Sequence, residues 1–138
     1  MKEFYSYLYQ YGLHDCKANA LSFVNGDFIF DFPFGVYALD QSGHEKEVTQ
    51  RCKLIVSLKE IYKDDFFNHI SISCQKKKKA IDISFERTVQ LIQKFGFDID
   101  INFYTPFCNT ILLKGYIGKS MCEIEISEVE KIEFIFED

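Results

Sequence analysis

Ala20-Leu21-Ser22-Phe23-Val24-Asn25-Gly26-Asp27-Phe28-Ile29-Phe30-Asp31-Phe32 is the stretch whose reading decides the fold. Asn25-Gly26 is the strongest short-range signal for a two-residue type I′ hairpin turn, whose two central residues both need positive φ. Pairing outward from Val24 and Asp27 sets Phe23 opposite Phe28 and Leu21 opposite Phe30, so the bulky apolar side chains of both strands share a face. Residues 16–34 therefore read as an antiparallel hairpin. One of its faces is strongly aromatic, with Phe28, Phe30, Phe32 and Phe34, and the other is mixed. Pro33 has no amide hydrogen to donate and marks an edge or a strand end.

Outward from this hairpin, residues 36–51 are polar and read as a loop or a short irregular element. Residues 53–61 resume strand alternation, with Leu54, Val56 and Leu58 against Ile55, Ser57 and Lys59, and Lys63-Asp64-Asp65 resembles a turn. Ile70, Ile72 and Cys74, then Ile81 and Ile83, predict a second hairpin whose tip carries Lys76 to Lys79. One helix interrupts the strands near residues 85–95. Ser84 is its N-cap, Phe85, Val89, Ile92 and Phe95 form one stripe, and Gly96 is suited to the position after its end.

The helix leads into a half-buried strand with Phe97, Ile99, Ile101 and Phe103 on one face and Asp98, Asp100, Asn102 and Tyr104 on the other. Strands over 110–117, 121–126 and 130–136 follow. Tyr5 to Tyr11 alternates like a strand, but Phe4, Leu8 and Tyr11 also make a helical stripe closed by Gly12, and a short N-terminal helix is the preferred reading. Without long helices between strands, parallel crossovers are disfavoured. The expected fold is mostly β of the α+β class, an antiparallel, curved or barrel-like sheet of about seven to nine strands.

The 138 residues suit one domain, taken as 1–138. With 47% apolar and 27% charged residues, 15 Phe and 8 Tyr, the composition is that of a folding chain, not a disordered one. No apolar run approaches the roughly 20 residues of a membrane-spanning helix, and the N-terminus does not read as a secretory signal, so a cytoplasmic location is expected. The five cysteines, Cys16, Cys52, Cys74, Cys108 and Cys122, are odd in number and never form C-x-x-C. They are expected as free, core-filling thiols in a reducing compartment.

The formal net charge is −5, and it is unevenly placed. Residues 123–138 hold seven acids, Glu123, Glu125, Glu128, Glu130, Glu133, Glu137 and Asp138, against Lys131 alone, which leaves the rest of the chain close to neutral. If the last two strands pair, Glu123, Glu125, Glu130, Glu133 and Glu137 would concentrate on an outer face able to steer a cationic partner. The competing reading is a solubilising, edge-protecting surface.

His14-Asp15-Cys16 is the densest cluster of reactive side chains. In an extended segment His14 and Cys16 would share a face, as two metal ligands or a Cys-His pair require. Neither His44, His69 nor another Cys stands at a recognised partner spacing, and the favoured reading is structural. No phosphate-binding glycine motif occurs, and Lys76 to Lys79 is a lone basic run on an acidic protein, so neither cofactor nor nucleic acid is expected. Asp98 with Asp100, or Asp64 with Asp65, show the ordinary solvent pattern of alternating or turn carboxylates.

Gly12-Leu13-His14-Asp15-Cys16 leading into a hairpin, followed by the helix and the strand pair from Phe97 to Ile117 with Gly115, resembles small bacterial proteins, some of them similar to immunity proteins of polymorphic toxin systems. The resemblance implies a protein that masks a toxin domain, and it transfers no catalytic residue. Function is therefore expected to be non-enzymatic binding of a basic protein partner through an acidic surface, with no membrane partner; nothing sets an oligomeric state. The alternatives are a small metal-binding or hydrolytic enzyme centred on His14, Asp15 and Cys16, and a β-barrel that holds an apolar ligand against Phe28, Phe30 and Phe32.

Overall fold

The computed structural model describes residues 10–105 and 107–137. Its strands are β1 (Tyr11–Gly12), β2 (Cys16–Ala18), β3 (Ala20–Val24), β4 (Asp27–Phe32), β5 (Tyr37–Leu39), β6 (Glu45–Val48), β7 (Cys52–Leu58), β8 (Ile70–Lys76), β9 (Lys79–Asp82), β10 (Phe97–Thr105), β11 (Thr110–Ile117), β12 (Ser120–Ile126) and β13 (Val129–Phe136). A helix, α1 (Phe85–Phe95), lies between β9 and β10, and 3-10 turns cover Glu60–Asn68 and Phe107–Asn109. Among the described residues the strands form three antiparallel sheets, none of them closed: β1-β5-β6, β2-β10-β11-β12-β8-β9 and β13-β7-β4-β3.

The first hairpin has the expected register, Val24 against Asp27, Phe23 against Phe28 and Leu21 against Phe30. Asn25 and Gly26 both take positive φ, 50° and 88°. The lysine hairpin also forms, with Lys76 opposite Lys79. Its turn residues Lys77 and Lys78 adopt positive φ as well, a conformation that side chains with a Cβ enter only at some cost.

The expectation of one curved or barrel-like sheet of about seven to nine strands is corrected to thirteen strands in three sheets among the described residues. After β7 the chain does not turn tightly. Glu60–Asn68 instead carries it into another sheet, so β7 pairs with β4 and β13 while β8 pairs with β12 and β9. Residues 36–51 are not a loop, since β5 and β6 pair with each other and β5 also pairs with β1. The Asp40 carboxylate accepts from the amides of Ser42 and His44 at 2.8 and 2.9 Å and so fixes their connection. Of the expected N-terminal helix, with its Phe4, Leu8 and Tyr11 stripe closed by Gly12, residues 1–9 lie outside the described residues; Gln10 is helical, but Tyr11 and Gly12 belong to a strand.

The six- and four-stranded sheets share one core in which Phe28, Phe30, Phe32, Phe97, Ile111, Leu113, Ile124 and Ile132 are fully buried. Helix α1 has the expected ends. Ser84 Oγ accepts from the Arg87 amide at 3.1 Å, and the Gly96 amide donates to the Ile92 carbonyl at φ 78°. Its stripe is buried at Ile92 but not at Phe95, which is 45% exposed.

In β10 the expected alternation breaks at Asp100. Ile99 faces Gly115 and Ile101 faces Lys114, so Asp100 is the extra residue of a bulge, and Ile101 and Phe103 turn outward. Gly115 permits this approach, because a Cβ there would lie 2.0 Å from the Asp98 carbonyl oxygen.

Candidate functional site

The bulge organises the His14 region. It frees the Asp100 carbonyl, which accepts a hydrogen bond from His14 Nδ1 at 2.8 Å. Asp15 Oδ2 lies 3.3 Å from His14 Nε2, and Asp100 Oδ1 3.4 Å from Nδ1. Residues 14 and 15 are not extended, because Asp15 has φ 62° and the Cys16 amide donates back to the Leu13 carbonyl at 2.9 Å. His14 and Asp15 therefore face solvent while Cys16 packs inward at 5% exposure, which corrects the shared face expected for His14 and Cys16. Burial pushes the Cys16 thiol up to about 11, so it stays protonated near neutrality and is poorly suited to nucleophilic work. Among the described residues no group of three or more His, Cys, Asp or Glu side chains is arranged to hold a metal ion.

The His14 imidazole is held above its usual 6.5, first by the bond to the Asp100 carbonyl and further by the charges of Asp15, Glu45 and Asp100, against partial desolvation. The sign follows: protonation is favoured in the folded state, so the contribution to stability is complete below the unfolded pKa and is lost as pH rises through the higher folded value. Solvent screening at this half-exposed group keeps that contribution small. An NMR titration of the His14 ring should show its inflection above 6.5, and a lower one in Asp15→Asn. An inflection at or below 6.5 in the unsubstituted protein would contradict the geometry.

The expected acidic face is divided between sheets, because β12 and β13 do not pair. Glu123 lies opposite Lys114 on the six-stranded sheet and meets its ammonium at 3.5 Å, and Glu125 is on the same sheet opposite Leu112. Glu137 pairs with Arg51 at 3.6 Å, and Arg51 also binds Asp31 at 2.7 Å. Glu130 and Glu133 do come together, and with acids that sequence reasoning missed. They line a cleft of about 450 Å³ with Asp27 and Glu60, beside Lys63 and Lys131.

The register explains this gathering. With Phe28 and Phe30 turned into the core, Asp27 and Ile29 point outward. Across the sheet they align with Ser57 and Ile55, and then with Lys131 and Glu133. Glu60 arrives from the 3-10 turn after β7, and Glu130 is the extra residue of a bulge between Val129 and Lys131. Asp27 was visible in the sequence as an outward strand position, but its proximity to Glu133 depends on β7 lying between their strands. Lys63 binds Glu60 at 2.8 Å and Lys131 approaches Glu133 at 3.6 Å, which leaves Asp27 and Glu130 without an ion pair among the described residues. Ile29 and Ile55 sit half-buried at the centre of this face, and Ile135 is 47% exposed at its far end.

Phe28, Phe30 and Phe32 have no exposed surface and fill the shared core, so the aromatic face is packed and does not line the interior of a barrel. No helix among the described residues is long and apolar enough to cross a membrane. No protein-family model, curated protein or solved structure matches the chain.

Proposed function

We propose that this protein is a non-enzymatic binding module that masks a basic protein partner, as an immunity protein masks a toxin domain. Its binding surface is the outer face of the four-stranded sheet. The observation that supports this reading is the acidic cleft, where four carboxylates gather around two ammonium groups beside an apolar centre at Ile29 and Ile55. Apolar contact there would supply affinity, and the surplus negative charge would steer a cationic surface into register.

The test is calorimetric titration of the full chain with the protein encoded by the adjacent gene, repeated with Asp27→Lys combined with Glu133→Lys. Binding is expected, weakened by the double reversal at least about tenfold and increasingly sensitive to salt in the unsubstituted protein. No binding, or binding that ignores both the reversal and the salt, would overturn the proposal.

A further inference from the structure

The buried face of the six-stranded sheet continues past the helix that covers it. Ile81 lies opposite Cys74 and so extends the surface made by Cys74, Cys122 and Ile117, yet it is 44% exposed. Between this sheet and α1 lies a groove of about 930 Å³, floored by Ile81, Ile83, Leu91, Phe95, Ile117 and the Cys74–Cys122 disulfide. A concave, mostly apolar site of roughly 300–1,000 Å³ with a few polar groups on its rim is the usual form of a small-molecule site.

The rim charges are unequal at the two ends. Lys76 closes β8, and the strand beside it, β12, begins directly after Lys119. A Cβ on Gly118 would lie 3.4 Å from the Phe95 ring, over which Lys94 Nζ stands 5.1 Å from the centroid. Lys76, Lys94 and Lys119 thus adjoin the Phe95 end, and none has an ion pair among the described residues. Arg87 is eight residues back along α1, about 12 Å away at 1.5 Å per residue. At that end Asp82, the one acid among the described residues that line the groove, offsets its charge without an ion pair, and Arg87 donates instead to Gln90 Oε1 at 3.4 Å.

We propose that this groove binds a single-chain amphiphile with an anionic head, a long-chain carboxylate, with its chain along the floor and its head at Lys76 and Lys119. The end with three lysines and no acid is the more cationic one, and it calls for an anionic head there. An acidic protein segment would need complementary charge along the whole groove, and a concave floor is poorly shaped for a flat membrane surface. The site lies on a different sheet from the acidic cleft and stands independently of it.

The probe is oleate, titrated into the full chain below its aggregation concentration and followed by calorimetry and native mass spectrometry. One oleate per chain is expected. Affinity should fall at least about tenfold in the Lys76→Glu, Lys119→Glu double variant, since charge-assisted contacts are lost, and equally for oleyl alcohol, which has the chain without the charge. Ile81→Lys, at an already exposed position, should also weaken binding by obstructing the floor. No saturable binding, binding indifferent to the charge reversal, or co-sedimentation with phosphatidylglycerol vesicles without one-to-one oleate binding would each overturn the proposal.

Discussion

Replacing Phe30 by alanine should lower the free energy of unfolding by about 3–5 kcal/mol, the usual cost of removing a fully buried phenyl ring. Phe30 is wholly buried and stands between Leu21 of β3 and Leu54 of β7, so three strands close over it. Its neighbours are held by the sheet on both sides and cannot collapse into the cavity, which favours the upper part of that range. Since small domains are stable by only about 5–15 kcal/mol, that loss is a large fraction of the total. Phe34→Ala, at a site 76% exposed, should stay within about 0.5 kcal/mol of the unsubstituted protein. Urea denaturation midpoints measure both, and a small effect at Phe30 would mean that the hairpin does not anchor the core.

Replacing Cys74 and Cys122 by serine together should cost about 2–4 kcal/mol, because the bond closes a long loop in the unfolded chain. The two residues lie 48 apart in sequence and directly opposite each other on β8 and β12, where they are joined by a disulfide. This corrects the expectation of five free thiols. Cys16 and Cys52 remain free and buried, with burial pushing each thiol up to about 11, and Cys108 is free and exposed. Thiol titration of unreduced protein in denaturant should therefore find three groups, and in the folded protein Cys108 should react first. Five thiols before reduction would contradict the bond.

The first hairpin, the helix with its Ser84 and Gly96 ends, and the lysine hairpin were legible because each depends on signals within a few residues. What was not legible depended on long-range pairing. Cys74 and Cys122 each look like core residues until their strands become neighbours. Ile101 and Phe103 continue a regular alternation, and the bulge that turns them outward depends on Gly115 across the sheet. The acidic cleft mixes both cases. Glu133 was readable as an outward acid, but Glu130 shares the parity of Ile132 and Phe134 and is exposed only because of the bulge, and Asp27 and Glu60 join them only through β7 and the turn after it. Phe95 shows the limit of periodicity, since a helical stripe indicates which side is apolar and not how far the neighbouring layer extends over it.

The arrangement separates charge across the molecule, with acids on the outer face of the four-stranded sheet and unmatched lysines at the end of the six-stranded one. Hydrogen exchange on the complex with the adjacent gene's product most directly tests the proposal that the acidic face receives a basic partner. New protection is expected over the turn at 59–68 and the start of β13, with β8, β9 and α1 unchanged. Protection confined to β8, β9 and α1, or a complex that leaves the outer face of the four-stranded sheet as exchangeable as before, would contradict it.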